Sequence, residues 1–216
     1  MRKICEMLKR KDVGSIGIGA MIVFIAMVLV AGIAASVLIQ TSTKLESQAM
    51  KSGQETIAEV STGISVTEIE GYYDGTSITE LGIIVRARAG SADIDLAETV
   101  IELSDSQTKN LFVYDSTGFC DTPDIDGDLF VLTAFDPSAT KFRIVVLEDA
   151  DNSVSATTPI LNKGDYVILC ISVDNAFSSF STRTSVFGQV IPEDGASGII
   201  AFTTPASFSE AVIELQ

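Results

Sequence analysis

An uninterrupted apolar segment near the N-terminus constrains this chain more than any other feature. No charged residue occurs between Ser15 and Thr43, and residues 16–39 read IGIGAMIVFIAMVLVAGIAASVLI. As a helix with a rise of 1.5 Å per residue, that run spans roughly 36 Å, which exceeds the ~30 Å hydrocarbon core of a bilayer. The segment is therefore long enough to cross a membrane.

Charges on either side of the apolar segment predict its orientation. Five basic side chains precede it, and the first charge after it is Lys44. Positive charge is retained on the cytoplasmic side of a membrane helix. We therefore expect the N-terminus in the cytoplasm and the rest of the chain outside; the five basic residues are Arg2, Lys3, Lys9, Arg10 and Lys11.

The segment before the apolar run resembles a removable leader. An ordinary secretory signal has a shorter apolar region followed by a small-residue cleavage site, whereas here the break lies before the apolar run, where KRKDVG ends in Gly14. Cleavage between Gly14 and Ser15 leaves the apolar segment as the new N-terminus. We predict a leader at 1–14, a helix at 15–62 and an outer domain at 63–216.

The pattern of apolar residues changes at Gly63. Before it, good helix formers predict a single helix from Ser15 to about Val60. After it, about nine short runs rich in β-branched and aromatic residues alternate with turn residues. We predict an α+β fold, a long N-terminal hydrophobic helix followed by an antiparallel β-sandwich (Ig-like) domain; the runs are ISVTEI, ITELGIIVRA, ETVIEL, NLFVY, DLFVLTAF, KFRIVVLE, DYVILCISV, SVFGQVI and GIIAFTT.

Composition excludes several functions. The 216 residues include 29 acidic and 14 basic side chains and no His. An acidic body repels nucleic-acid phosphates, so we expect no nucleic-acid partner. Without His, a Ser-His-Asp hydrolase and a His-based zinc enzyme are ruled out, and no pair of opposed carboxylates stands out. We predict that the chain is not an enzyme.

Two further constellations leave alternatives open. Four aspartates crowd the segment CDTPDIDGD, so the alternatives are a bound Ca²⁺ or other divalent cation and a solvated acidic loop; they are Asp121, Asp124, Asp126 and Asp128. Cys120 and Cys170 either form a disulfide, which oxidation outside the cell permits, or remain one buried thiol and one loop thiol. Arg86 and Arg88 alternate along a predicted strand and face one side, as a solvated face or as a contact for an acidic neighbour.

Taken together, the leader, the apolar run and the β-rich body resemble an archaeal flagellin (archaellin). The resemblance rests on SIGIGAMIVFIAMVLVAGIAASVLIQTS after Gly14, on ITELGIIVRARAGSADIDLAETVIELSD, and on GQVIPEDGASGIIAFTTPASFSEAVIELQ at the C-terminal end. Many related pilins carry Glu at the fifth position after the cut, where this chain has Gly19. The absence of that acid favours an archaellin over a pilin.

The resemblance implies a function and its partners. Archaellins are membrane-held precursors that a dedicated aspartic peptidase trims after the leader glycine. They then assemble into a swimming filament with the help of a cytoplasmic ATPase and a membrane platform. By resemblance, Gly14 and Ser15 flank the cut bond. Asp12 and Val13 replace the usual basic residues before it, which leaves Gly17 and Gly19 as alternative sites.

A helix that is apolar on all sides must be buried in lipid or among copies of itself. Small residues spaced by four permit close packing between such helices, and the run offers Ala31 with Ala35 and Gly32 with Ser36. Small residues are also common in membrane helices that do not pack in this way, and it is the resemblance to an archaellin that favours packing of the helices in a filament core. The alternative function is a membrane-tethered extracellular adhesin or pilin-like binding module whose helix stays in the bilayer.

Overall fold

The computed structural model describes the backbone of residues 2–121, 127 and 129–216, and it describes side chains within these ranges from residue 17 onward. The chain divides into two compact units, Met1–Gln54 and Glu55–Gln216. The first consists of helix alone. The second contains the end of that helix and all of the β-structure.

The first element is a helix of 60 residues, α1 (Arg2–Ser61). The predicted helix is confirmed, but it begins at Arg2 instead of Ser15, because the leader consists mainly of good helix formers and contains no Pro. The helix ends where the amide of Thr62 donates to the carbonyl of Ala58 at 2.8 Å. Gly63 follows, and the first strand starts at Ile64.

Eleven strands and one short helix are described after α1. The short helix α2 (Val173–Phe177) begins at the Ser172 cap, whose hydroxyl accepts from the amide of Asn175 at 3.4 Å. The strands are β1 (Ile64–Tyr73), β2 (Ile78–Ala87), β3 (Ile94–Asp95), β4 (Val100–Ser104), β5 (Lys109–Tyr114), β6 (Lys141–Glu148), β7 (Ile160–Leu161), β8 (Tyr166–Ser172), β9 (Ser185–Ile191), β10 (Gly198–Thr203) and β11 (Val212–Glu214).

Nine of these strands form one sheet in the order β10-β9-β4-β5-β6-β8-β2-β1-β11, and β3 pairs with β7 in a separate ribbon. All neighbours in the sheet are antiparallel except β5 and β6, which run parallel through Val113↔Lys141 and Tyr114↔Phe142. The predicted antiparallel architecture is therefore confirmed in the main. The parallel contact joins the two halves of the sheet into a single sheet.

The two halves pack face to face around one core. Buried side chains of β2 and β8, such as Ile83 and Leu169, belong to the same apolar cluster as Ile101 of β4 and Val190 of β9. All four side chains have no exposed surface. Burial of this apolar surface is the main contribution to the stability of the second unit.

A second apolar cluster covers the opposite face of β6 and β8. It includes Phe130 and Phe135, whose ring centroids lie 4.6 Å apart, together with Val145, Ile168 and Cys170. Because β8 is covered on both faces, its sequence is continuously apolar instead of alternating.

The prediction of a strand at DLFVLTAF is wrong. This stretch instead contains two 3₁₀ turns, Leu129–Val131 and Thr133–Phe135. A short apolar run does not reveal by its periodicity whether it pairs as a strand or packs as a turn. Here the aromatic side chains are buried against the sheet without the backbone joining it.

Candidate functional site

The exposed apolar surface of α1 is the dominant feature of the first unit. Every residue from Gly17 to Val60 is exposed, and large side chains such as Phe24 and Leu38 keep 68% and 69% of their surface accessible. The described part of the helix, Gly17–Ser61, is long and apolar enough in length and composition to cross a membrane. Because residues 22–30 are all apolar, the whole circumference is apolar and requires lipid or protein around it.

Small residues form two pairs on this helix. Ala31 and Ala35, like Gly32 and Ser36, are four positions apart and so lie on one face, one turn from each other. A methyl group placed on Gly32 would meet nothing within 4 Å. The helix itself does not need glycine there, and the open space is suited to the close approach of another helix.

Polar groups at the end of the apolar run bond within the helix. The Thr41 hydroxyl donates to the carbonyl of Val37 at 2.9 Å, and the Thr43 hydroxyl donates to the carbonyl of Ile39 at 3.0 Å. These hydroxyls keep a hydrogen-bond partner when water is excluded. The predicted cleavage residues Gly14 and Ser15 lie in the backbone of α1, where side chains are not described.

In the second unit, three carboxylates converge that the sequence analysis did not single out. Oxygen atoms of Asp149, Asp151 and Asp165 all lie within 4.8 Å of one another. Asp149 and Asp151 lie in the turn after β6, and Asp165 directly precedes β8. The sequence held a recognisable signal for two of the three, because Asp-x-Asp in a turn places both side chains close together. The third residue, Asp165, is brought to them only by the pairing of β6 with β8.

Most oxygens of this cluster accept hydrogen bonds that hold them in place. Asp149 Oδ2 accepts from the amide of Val154 at 3.0 Å, and Asp151 Oδ2 accepts from the Asn162 amide side chain at 2.7 Å. Asp165 Oδ2 accepts from the amide of Asn162 at 2.9 Å and from the Ser153 hydroxyl at 3.3 Å. Asp165 Oδ1 is buried and accepts no hydrogen bond from any described group.

The electrostatics of Asp165 favour a cation. Its residue is only 1% exposed, and burial raises the pKa of its carboxyl, with the charges of Asp149 and Asp151 adding to the effect. A buried carboxylate oxygen without a donor is costly unless a cation approaches it. Ca²⁺ binds six to eight oxygen ligands in flexible geometry, so these three carboxylates fit that class of ion.

The predicted acidic loop is only partly described. Asp121 is exposed, whereas Asp124, Asp126 and Asp128 lie outside the described residues. Among the described residues, the group of carboxylates that could hold a cation is that of Asp149, Asp151 and Asp165.

Of the two alternatives for Cys120 and Cys170, the structure does not contain the disulfide. Cys120 lies beside Val145 of β6, and Cys170 pairs with Arg143 on the other side of the same strand. Two strand spacings separate them, about 9.5 Å, more than the ~7 Å limit for a disulfide between Cα atoms. Both residues are buried, so Cys120 is not the loop thiol of the other alternative. Burial raises the pKa of the Cys170 thiol and keeps it protonated.

Comparison with known proteins covers nearly the whole chain. The model of the archaeal-type flagellin family matches residues 14–202. Flagellin B2 of Methanocaldococcus jannaschii is 43% identical over 99% of this chain and 100% of its own length. Flagellin B1 of Methanococcus voltae is 41% identical over 99% of each chain.

Solved structures agree with the fold. The crystal structure of archaeal flagellin FlaB1 from Methanocaldococcus jannaschii matches with a TM-score of 0.64 and 30% identity, over 72% of this chain and 97% of that chain. The archaeal flagellum of Methanospirillum hungatei strain JF1 matches with a TM-score of 0.60 over 91% of this chain and 98% of that chain; at 17% identity it supports the fold alone. A membrane-tethered binding module is not favoured by these matches. The chain belongs to the archaeal-type flagellin family and is a structural subunit of the extracellular archaeal flagellum filament, not an enzyme.

Proposed function

We propose that the chain is made as a precursor held in the cytoplasmic membrane by α1, and that an aspartic membrane peptidase cuts it between Gly14 and Ser15. The observation that carries this proposal is the fully exposed apolar helix, which needs lipid before assembly and other helices after it. A cytoplasmic ATPase and a membrane platform drive the transfer from lipid to filament, as the family resemblance implies.

In the filament, the mature helices form the core and the β-unit faces outward. Leaving lipid for a bundle of like helices gains little hydrophobic free energy, because both surroundings are apolar. Close packing must therefore supply the attraction. The faces formed by Ala31 with Ala35 and by Gly32 with Ser36 let helix backbones approach one another.

The test is the intact mass and N-terminal sequence of the protein in filaments sheared from cells. We expect a chain that begins at Ser15. Recovery of the chain only in membranes with its leader intact would overturn the proposal. Gly14→Val should block processing, because a larger residue replaces the leader glycine. The matched variants Gly17→Ala and Gly19→Ala should still be cut after Gly14. If the filament protein instead began directly after Gly17 or Gly19, the cleavage site would lie at that glycine.

We also propose that the cluster of Asp149, Asp151 and Asp165 binds a divalent cation of the Ca²⁺ type. Two observations support this proposal: Asp165 belongs to a group of three carboxylates with oxygens within 4.8 Å of one another, and its buried Oδ1 has no described donor. Such an ion would tie the turn after β6 to the start of β8 and neutralise three adjacent charges.

A further inference from the structure

The β-unit, which is acidic in composition, has a depression that three basic side chains line. It has a volume of about 280 Å³, and its lining includes the basic Arg86, Arg88 and Lys163, together with Ser65, Tyr166 and the buried Asp165. Residues 63–216 contain 24 acidic and seven basic side chains. A concentration of positive charge at one place in such a unit is therefore unexpected from composition.

Most other basic side chains of the unit already have carboxylate partners. Lys109 pairs with Glu102 at 2.6 Å, and Lys141 and Arg143 both pair with Asp115. Within residues 63–121, 127 and 129–216, no salt bridge involves the four remaining cations. Three of these four, Arg86, Arg88 and Lys163, line the depression; the fourth is Arg183.

The fold holds Arg86 in the depression. It lies opposite Ser65 across β1 and β2. Its Nη1 donates to the Tyr166 hydroxyl at 3.1 Å, and its guanidinium carbon lies 5.9 Å from the centre of that ring. A guanidinium has five N–H donors, so one bond to tyrosine positions the group and leaves others for a ligand.

Lys163 reaches the same place from the turn before β8. Gly164, with a φ of +107°, permits this tight turn, and Asp165 Oδ2 holds it by accepting from the amide of Asn162 at 2.9 Å. Lys163 and Arg88 are both exposed. The depression is therefore a surface with three cations that are available to an anionic partner.

We propose that this basic depression is a subunit contact that receives carboxylates from the β-unit of a second copy of the chain. Charge complementarity supports this occupant, because residues 63–216 of every copy contain 24 acidic and only seven basic side chains. Such a contact is heterologous, since a basic surface on one copy meets an acidic surface on the next, and repeated heterologous contacts generate helical filaments. The proposal rests on the filament function and adds an interface between outer units to it.

Carbodiimide cross-linking of intact filaments tests the contact, because this reagent joins a lysine amine to a carboxylate in direct contact. We expect covalent dimers on denaturing gels, with a peptide containing Lys163 joined to an acidic peptide of a second copy. Lys163→Arg keeps the charge but cannot be coupled, so this dimer should disappear while filaments remain. Lys109→Arg, whose partner Glu102 is in the same chain, should leave the dimer unchanged.

A charge reversal tests the consequence for assembly. Lys163→Glu should raise the fraction of dissociated subunits about tenfold, the change that accompanies loss of one favourable contact. Arg183→Glu makes the same charge change outside the depression and should have no such effect. Filaments that lack a Lys163 cross-link, or equal effects of the two reversals, would overturn the contact. Absence of the chain from filaments would overturn the function itself.

Discussion

At the scale of single residues, the carboxylate of Asp165 destabilises the folded chain without a cation and stabilises it when a cation is bound. Burial, and then the charges of Asp149 and Asp151, raise its pKa in the folded chain. Without a cation, the folded state binds more protons than the unfolded state as pH rises from the ordinary pKa of 3.8 to the raised value. Stability therefore falls with rising pH across that window and stays reduced above it.

The effect of Asp165→Asn on stability should change sign when Ca²⁺ is added. With a chelator present, wild-type stability should fall as pH rises above about 4, and the stability of the variant should not. In Ca²⁺ at about 100 times its dissociation constant, the wild type should gain about 2.7 kcal/mol that the variant does not gain. Denaturant unfolding of a fragment beginning at Glu55 measures both. Asp174→Asn, which removes an exposed charge outside the cluster, is the control, and an equal Ca²⁺ response in all three proteins would contradict the cation site.

Asp115 shows the opposite shift in pKa. Burial by itself raises the pKa of Asp115, but hydrogen bonds from Thr117 and Arg143, with the charge of Lys141, outweigh burial and lower it. This group therefore stabilises the fold above its ordinary pKa of 3.8, and the contribution is lost as pH falls through the lowered value.

Asp115→Asn should destabilise the β-unit by about 3 kcal/mol, because it leaves the largely buried Arg143 without its carboxylate. The Arg143 Nε lies 3.2 Å from Asp115 Oδ2. Unfolding in denaturant at pH 7 and pH 3 checks this, and the difference between variant and wild type should shrink at the lower pH. A constant difference would show that packing, not charge, is responsible.

At the scale of elements, β9 can lie beside β4 only because residue 188 is glycine. A methyl group on Gly188 would overlap the carbonyl of Glu102 and come within 3.0 Å of the Cα of Leu103. These are backbone atoms of β4, so they cannot rotate away. Gly188→Ala should destabilise the unit by about 3 kcal/mol in denaturant unfolding. Ser185→Ala, an exposed change on the same strand, should be close to neutral, and similar losses in both variants would contradict this account.

Filament assembly should depend on the size of the side chain at residue 32 and not on its polarity. Gly32→Leu keeps the helix apolar and raises its helix propensity, so the precursor should still enter membranes. The leucine side chain fills the space that a neighbouring helix needs. The yield of sheared filaments should therefore fall at least tenfold, which corresponds to a loss of about 1.4 kcal/mol in the free energy of association. Ile33→Leu is the matched control. Normal filament yield from Gly32→Leu would exclude this face from the core contact.

At the scale of the whole molecule, net charge should control how filaments interact with one another. The full chain carries a net charge of −15 and has a pI near 4.2, and residues 15–216, with 27 acidic and nine basic side chains, carry −18. Proteins associate when their net charge approaches zero. Filament suspensions should therefore be dispersed at pH 7 and become turbid at about pH 4, as light scattering across pH can show. A turbidity maximum near neutral pH would contradict this expectation.

The helices and strands whose residues follow a simple local pattern were predictable from the sequence. Residues 16–39 reveal an apolar helix because lipid-length apolar runs need no tertiary partner to be recognised. The alternation in β4 and β10 likewise reveals strands, since one face of each is buried. The stretch DLFVLTAF was misassigned because its apolar residues serve packing without pairing.

The sequence alone determined that a membrane-length apolar helix precedes a β-rich body, because hydrophobicity and its periodicity are local properties. Only the tertiary structure decided which distant side chains meet. The pairing of β6 with β8 brings Asp165 to Asp149 and Asp151 and places a strand between Cys120 and Cys170. Strand register places Arg86 beside Tyr166. These contacts between distant residues depend on strand order and register, which a single sequence does not encode in any local pattern.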